Sequence, residues 1–358
     1  MVPPRPPSYS TLSIRGADIS FAPQEEAAGN VFSDAGRARP VEQLLADHGA
    51  SYVRLRVWLS PPAGYSDEAS ALALARRARA AGLKILLDLH YADFWADATS
   101  QETPVAWRGQ QLPALAHTVR TYTSRVVADF ARQGTPVDIV QIGNEITAGI
   151  LWPTGRVYRP DGEHWEPLGA LLDAGIAGAR QGNPGNHSLS VMLHIDRGGD
   201  NAGCRYFFDH IISAGVTDFD MIGLTYYPFW NGSLADLRAN LADLATRYDR
   251  PLVIAETAYP WTMDSTDAHM FVRSASQLPD AKTYPPTAQA QAAYFAALRR
   301  VLGGVPGSRG AGFLDWEPEW IEGVGAKPGE GNPYSNLTMF DRQGRALPSL
   351  GTAFQPPR

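Results

Sequence analysis

Two glutamates could carry chemistry in this sequence, and each of them ends an apolar segment. Glu145 closes the segment Asp138-Ile-Val-Gln-Ile-Gly-Asn-Glu145, and Glu256, 111 residues later, closes the aliphatic run that starts at Pro251. A charge at the end of a buried strand needs a partner or a task. Cleavage of a glycosidic bond uses such a pair: one carboxylic acid protonates the leaving oxygen, and one carboxylate attacks or activates water. A buried ion pair or a loop cap is the structural alternative for each glutamate.

The elements that must position these glutamates alternate regularly between short apolar segments and amphipathic ones. Because the apolar segments show little polar alternation, they are typical of parallel strands that are covered on both faces. The sequence therefore predicts a single (β/α)8 TIM barrel over residues 11–358, preceded by a flexible tail of residues 1–10. The predicted strands are 13–20, 52–58, 83–90, 138–145, 189–195, 220–227, 251–257 and 310–316, and the predicted helices are 41–48, 68–81, 112–133, 167–180, 205–214, 234–248 and 287–302.

Polar and aromatic side chains gather at the carboxyl ends of the predicted strands, which is the functional rim of such a barrel. Because strands four and seven lie roughly opposite each other, Glu145 and Glu256 can face one sugar ring from two sides. Asn144 can hydrogen-bond the sugar 2-hydroxyl. Either Tyr226 or Tyr227 can donate to the nucleophile. An arginine of strand two, either Arg54 or Arg56, can hold the nucleophile ionised, and the spacing does not distinguish them.

Other side chains at this rim have both a functional and a structural interpretation. His90 is either a sugar ligand or a metal ligand together with His194, and the absence of a metal-binding spacing favours the sugar. Further carboxylates can bind substrate or make structural hydrogen bonds, namely Asp88, Asp93, Asp97, Glu317 and Glu319. The rim tryptophans are candidate sugar platforms, although any one of them can serve packing alone: Trp95, Trp152, Trp230, Trp261, Trp316 and Trp320.

Composition excludes several other classes of protein. The chain has 358 residues, 44% of them hydrophobic, and a formal net charge of −6 without a basic block, so nucleic acid is not an expected partner. The single cysteine, Cys204, rules out an intrachain disulfide. No apolar run reaches the ~20 residues of a membrane span, and the proline-rich N-terminus does not resemble a signal peptide.

Seven stretches, in order along nearly the whole chain, resemble glycoside hydrolase family 53, the endo-β-1,4-galactanases of the clan A barrels. They are Arg15-Gly-Ala-Asp-Ile-Ser20, Tyr52-Val-Arg-Leu-Arg-Val-Trp58, Leu87-Asp-Leu-His-Tyr-Ala-Asp-Phe-Trp-Ala-Asp97, Gln141-Ile-Gly-Asn-Glu145, Tyr226-Tyr-Pro-Phe-Trp230, Ala255-Glu-Thr257 and Trp316-Glu-Pro318. The resemblance implies a retaining double displacement on the β-1,4-galactan side chains of pectin, with Glu145 as general acid/base and Glu256 as nucleophile. It also implies that Trp316 stacks near the cleaved sugar.

From these stretches we expect the substrate to be bound by Asp18, Arg56, His90, Asp93, Trp95, Asn144, Tyr226, Tyr227 and Trp316. We also expect a monomer that requires no cofactor and is secreted or periplasmic. Two other readings stay open: another clan A endo-glycanase, such as a mannanase or xylanase, and a non-catalytic carbohydrate-binding barrel.

The sequence departs from the family pattern at two places. Asp315 stands where the family usually has an aromatic residue and Glu319 where it usually has alanine, so the eighth-strand side of the cleft is expected to bind sugar differently. The loop after strand seven matches a calcium loop of some bacterial members only at Asp267 and His269. Calcium is therefore a weak candidate ligand and not a requirement.

Overall fold

Eight parallel strands close into one barrel in the spatial order β1-β8-β7-β6-β5-β4-β3-β2. The computed structural model describes residues 9–62, 64–183, 185, 188–264 and 270–357. The strands are β1 (Ile14–Asp18), β2 (Tyr52–Val57), β3 (Lys84–Leu89), β4 (Ile139–Ile142), β5 (Ser190–Ile195), β6 (Met221–Thr225), β7 (Leu252–Thr257) and β8 (Gly310–Trp316). This confirms the predicted (β/α)8 barrel. Most of the predicted tail lies outside the described residues, so the tail stays a prediction.

The helices surround the barrel, and all seven predicted helices are present. In chain order the helices are α1 (Ala22–Ala27), α2 (Val41–Asp47), α3 (Glu68–Ala80), α4 (Leu112–Arg132), α5 (Trp165–Gly182), α6 (Asn201–Ser213), α7 (Pro228–Asn231), α8 (Leu234–Tyr248), α9 (Ala288–Gly303) and α10 (Pro348–Ala353). The short helices α1, α7 and α10 were not predicted, because four to six residues show too little periodicity. Within the described ranges, no helix is long and apolar enough to cross a membrane.

The core forms two layers, as expected when apolar strands are covered on both faces. Alternate strand residues point into the barrel and fill it below the rim, and the other strand residues pack against the helices. The inner layer consists of Ile14, Tyr52, Leu86, Ile139, Met192, Met221, Val253, Ala255, Ala311 and Leu314. A packed interior of this kind closes the barrel from below and confines chemistry to the rim.

Five strands end earlier than their apolar pattern indicated, and the early ends of β4 and β6 lie beside candidate site residues. β4 stops at Ile142 because Gly143 has a φ of 78°, and a Cβ on this glycine would lie 2.6 Å from Cγ2 of Ile146. Asn144 and Glu145 therefore belong to the following loop. β6 stops at Thr225. The residues that carry the candidate chemistry thus leave the sheet just where they can face the cleft.

Candidate active site

Glu145 is held at the barrel mouth by an unusual backbone conformation. Its φ of 49° and ψ of 52° lie in the left-handed region, which is uncommon for a residue other than glycine and is often found at functional sites. Nε2 of Gln101 donates to the carbonyl oxygens of Asn144, at 2.7 Å, and of Glu145, at 3.4 Å. Glu145 is a partly exposed residue, and its carboxylate contacts Thr225, whose Oγ1 lies 2.5 Å from Oε1. The side chain therefore has a fixed orientation at the edge of solvent.

Glu256 lies near the carboxyl end of β7 and is held by two side chains. The carboxylate is only 7% exposed. Nη2 of Arg54 lies 2.9 Å from Oε1, and the hydroxyl of Tyr227 donates to Oε2 at 3.3 Å. Glu256 therefore presents a buried, oriented carboxylate to the same mouth as Glu145.

Arg54 connects Glu256 to the rest of the rim. The guanidinium is completely buried, and it donates to Asp18 at 2.9 Å, to Asp88 at 2.8 Å and to Oδ1 of Asn144 at 2.8 Å. A planar fork with five donors suits this arrangement, because it can hold several acceptors in fixed directions. Of the two strand-two arginines, Arg54 is thus the one that contacts Glu256.

Burial and charge give the two glutamates different proton affinities. Burial, followed by the negative charge of Glu256, raises the pKa of Glu145 well above its usual value. Burial also raises the pKa of Glu256, but the Arg54 guanidinium opposes it, and the resulting pKa is about 7. Once Glu256 is ionised, its negative charge favours a proton on Glu145, which is the division of roles that glycosidic cleavage requires.

The structure brings Asn144 and Tyr227 to this pair but turns Tyr226 away. Asn144 accepts from Arg54 through Oδ1, and its Nδ2 donates to the carbonyl of Ala96 at 2.9 Å. The hydroxyl of Tyr226 donates instead to the carbonyl of Gly232 at 2.9 Å, and the side chain is fully buried. Of the two tyrosines that could donate to the nucleophile, Tyr227 is the one in contact with it.

Three predicted sugar ligands lie around the site, and each has at least one polar atom bonded to protein. Asp18 binds Arg54 and accepts from the Ser20 hydroxyl at 2.5 Å. His90 places Nε2 2.9 Å from Asp88, and its pKa is lowered by burial. Asp93 accepts from the backbone N–H of Val105 at 2.8 Å, in the loop after β3. A substrate contact for Asp18, His90 and Asp93 stays a prediction.

Arg56 stands among aromatic rings and pairs with a different glutamate. Its Nη2 lies 2.9 Å from Glu317, and the guanidinium is 1% exposed. The rings around it, at 4.7 to 5.8 Å, belong to Phe21, Trp58, Trp95 and Trp316. Arg56 therefore packs against the two predicted platforms, Trp95 and Trp316. Its predicted contact with sugar stays untested.

An aromatic surface faces the carboxylates, and one of its members was not predicted. The ring of Tyr334 lies 4.3 Å from that of Trp316 and 5.8 Å from that of Tyr227. The charges of Glu256 and Glu145 add to burial in raising the pKa of Tyr334, so its hydroxyl lies near both glutamates. Tyr334 lies in the long loop after β8, far from any strand end. No sequence signal available from one chain marks it.

The two residues that depart from the family pattern do not reach the cleft. Asp315 is completely buried on the face of β8 opposite Leu314 and Trp316, and within the described part of the chain its oxygens have no hydrogen-bond partner. Glu319 is also completely buried. Burial raises the pKa of both side chains well above their usual values. Neither side chain has an exposed surface, and the expectation that the eighth-strand side of the cleft binds sugar differently stays a prediction.

The described ranges contain no metal-binding group that would include a candidate metal ligand. There, no group of three or more His, Cys, Asp or Glu side chains is arranged to hold a metal ion. Asp267 and His269 lie outside the described residues.

The remaining rim tryptophans differ in exposure: Trp230 is 53% exposed, whereas Trp320 is 1% exposed and cannot be a sugar platform.

A parallel (β/α)8 barrel with two electrostatically coupled glutamates after β4 and in β7 defines a glycoside hydrolase. The chain belongs to glycosyl hydrolase family 53, whose model matches residues 14–353. A protein from the bgaB 5′ region of Niallia circulans is 40% identical over 94% of this chain and 92% of its own length. The arabinogalactan endo-β-1,4-galactanase of Humicola insolens is 34% identical over 95% and 98%. The solved family 53 catalytic domain of Ignisphaera aggregans superposes with a TM-score of 0.88 at 34% identity, covering 97% of both chains.

Proposed function

We propose that this protein is a retaining endo-β-1,4-galactanase in which Glu145 is the general acid/base and Glu256 is the nucleophile. The observation that carries the proposal is the asymmetry of the pair. Glu256 is paired with Arg54 at 2.9 Å, and the charge of Glu256 helps to raise the pKa of Glu145. Membership of family 53 supports the retaining mechanism, in which two carboxyl groups about 5–5.5 Å apart leave no room for an interposed water.

In the first step, Glu256 attacks the anomeric carbon of the sugar while Glu145 gives its proton to the leaving oxygen. The Arg54 guanidinium and the Tyr227 hydroxyl keep the attacking oxygens oriented. The product is a covalent glycosyl-enzyme and a free reducing-end fragment. Glu256 loses its charge, and with it the ion pair to Arg54, when the covalent bond forms. The ion pair forms again when Glu256 leaves in the second step, so the carboxylate is a stable leaving group.

In the second step, Glu145, now ionised, removes a proton from water as the water attacks the anomeric carbon. The bond to Glu256 breaks, and the sugar leaves with its original configuration. A raised pKa suits Glu145 in both steps, because it favours the protonated acid that the first step needs and makes the carboxylate a stronger base in the second.

The substrate we propose is the β-1,4-galactan of pectin side chains. Family membership supports it, together with the printed activity of the Humicola insolens relative. Trp316, Tyr334 and Trp95 supply an amphipathic surface of the kind on which sugar rings stack. A mannanase or xylanase would need the same carboxylates, but the family match does not favour either, and a non-catalytic barrel would not need the acid and base arranged in this way.

Hydrolysis of four polysaccharides side by side tests this function. With galactan, mannan, xylan and arabinan at equal concentration, we expect reducing ends to appear rapidly from galactan and at least tenfold more slowly from the others. The Glu256→Ala variant is the control, and it should release none. Preferred hydrolysis of mannan or xylan would contradict the substrate, and binding of galactan without hydrolysis by the wild type would contradict the enzyme.

Three further features belong to the same proposal. The protein acts outside the cytoplasm, because a polysaccharide of this size does not cross a membrane. It acts as a monomer, since one chain supplies both glutamates and the aromatic surface. Calcium at Asp267 and His269 would stabilise the loop after β7 and takes no part in either chemical step.

A further inference from the structure

A series of hydrogen-bonded side chains runs from Arg54, beside the nucleophile, through Asn144, His194 and Thr225 to Glu145. Nδ1 of His194 lies 2.9 Å from Oδ1 of Asn144, and Nε2 lies 3.0 Å from Oγ1 of Thr225. The same Thr225 oxygen lies 2.5 Å from Oε1 of Glu145. His194 is fully buried and does not touch either carboxylate. The two-step mechanism assigns no role to it.

The partners of Asn144 decide which nitrogen of His194 carries the proton. Arg54 donates to Oδ1 of Asn144, and Nδ2 of Asn144 donates to the carbonyl of Ala96, so Oδ1 is an acceptor. We assign the hydrogen of neutral His194 to Nδ1, from which it donates to Oδ1 of Asn144. Burial, and then the nearby Arg54 charge, lowers the pKa of His194 well below its usual value, which keeps the ring neutral.

Two other donors approach Nδ1, and neither outweighs Asn144. Gln141 places Nε2 3.1 Å from Nδ1, but its two hydrogens have closer acceptors in Asp88 at 2.7 Å and, both at 3.0 Å, in the carbonyl of Gly143 and Oδ1 of Asn144. The backbone N–H of Glu145 is 3.5 Å away, at the limit of a hydrogen bond. Nε2 of His194 is therefore a lone-pair acceptor that faces the Thr225 hydroxyl.

We propose that His194 is a positioning residue that binds the hydroxyl hydrogen of Thr225, so that the Thr225 oxygen accepts a hydrogen bond from protonated Glu145. The inference rests on the proposed role of Glu145 as acid/base. When Glu145 loses its proton, the hydroxyl hydrogen can satisfy either Nε2 or the carboxylate, but not both. Ionisation therefore leaves one acceptor without a donor, and the network favours the protonated acid.

In the opposite arrangement, the Thr225 hydroxyl donates to ionised Glu145 and would lower the pKa of Glu145. The charged groups that face Glu145 all act in the other direction: Glu256 from β7, Asp196 from the loop after β5, and Asp97 from the loop after β3. The hydroxyls of Tyr227 and Tyr334 complete its titratable surroundings. Removing the hydroxyl distinguishes the two arrangements by the sign of the shift in pKa.

The test is the pH profile of kcat/KM on galactan for His194→Leu, Thr225→Val and Thr225→Ser. The alkaline limb reports ionisation of Glu145 in the free enzyme. His194→Leu frees the hydroxyl to donate to the carboxylate, and Thr225→Val removes the acceptor of the acid. Both should move the alkaline limb to lower pH by about one unit. Thr225→Ser keeps the hydroxyl and should keep the wild-type limb.

Two results would overturn the inference. If Thr225→Val moves the limb to higher pH, the hydroxyl donates to ionised Glu145 in the native enzyme. If His194→Leu lowers activity equally at every pH, His194 has only a structural role. If His194→Leu does not fold, the direction in which Thr225→Val shifts the alkaline limb, compared with Thr225→Ser, still tests the inference.

Failure of the proposed function would look different. If Glu145→Gln kept the wild-type alkaline limb, Glu145 would not be the acid, whatever the behaviour of the other variants. If Glu145→Gln abolished that limb while His194→Leu and Thr225→Val left it in place, the acid would stand and the role of His194 would fall.

Discussion

Nη2 of the completely buried Arg54 lies 2.9 Å from Oε1 of Glu256. The same guanidinium also holds Asp18 and Asp88, so one positive charge is shared among three carboxylates. This sharing explains why burial still raises the pKa of Glu256 to about 7 although a cation is in direct contact with it. The ionised fraction of Glu256 therefore depends on its contact with the Arg54 guanidinium.

The first prediction concerns the acid limb of activity. Glu256 attacks only when ionised, so kcat/KM should fall as the pH drops through about 7, the pKa of Glu256. In Arg54→Lys an ammonium group cannot contact all three carboxylates at once, so the pKa of Glu256 should rise and the acid limb should move to higher pH by about one unit.

Arg56→Lys is the matched control for that experiment. Arg56 lies on the same strand but pairs with Glu317. Its replacement should leave the position of the acid limb unchanged, even if activity falls. Equal shifts in the two variants would show that Arg54 does not control Glu256 specifically.

A second prediction concerns the leaving group. Glu145→Gln removes the proton that the leaving oxygen needs, so kcat/KM on galactan should fall by about 10²–10⁴-fold. An aryl galactoside with an activated leaving group needs no protonation, and for it kcat/KM should fall by less than about tenfold. Equal losses on both substrates would remove Glu145 from the role of acid.

A third prediction concerns stability and pH at Asp315. Its carboxyl group is completely buried without a hydrogen-bond partner among the described residues, and burial raises its pKa well above the usual value. The folded state therefore binds this proton more tightly than the unfolded state does. The contribution is fully present below about pH 3.9, the unfolded pKa, and stability is lost as the pH rises from there towards the folded pKa.

Asp315→Leu should consequently stabilise the protein by about 1–3 kcal/mol at pH 7, with a smaller gain at pH 4. Urea unfolding at both pH values measures this difference. Asp315→Asn is the control for the charge alone, because it removes the titration but keeps a buried polar group. A loss of stability in Asp315→Leu that is the same at both pH values would mean that Asp315 makes a favourable contact.

Much of the fold and the centre of the site could be predicted from the sequence. The eight apolar segments predicted the barrel, because parallel strands that are covered on both faces appear in the sequence as short runs of apolar residues. The pairing of Glu145 with Glu256 followed from strand ends that a barrel brings to one rim. Strand periodicity placed both strand-two arginines on one face but could not show that Arg54 contacts Glu256 while Arg56 contacts Glu317.

Features that depend on loop paths could not be predicted. Tyr334 joins the site from the middle of the loop after β8, and nothing in its neighbours indicates where the chain returns. The predicted sixth strand continued to Tyr227, whereas β6 ends at Thr225, so the direction of the Tyr226 side chain could not be predicted. Asp315 was expected to alter the cleft because it stands where the family usually has an aromatic residue, but successive strand residues point to opposite faces, so Asp315 is buried on the face opposite Trp316.

The anomeric configuration of the first products from linear β-1,4-galactan tests the central claim most directly. Proton NMR during the first minutes of hydrolysis should show reducing ends in the β configuration, on fragments of several lengths, before mutarotation gives the α form. Initial α-anomers would contradict covalent attack by Glu256, and galactose as the only early product would contradict endo cleavage.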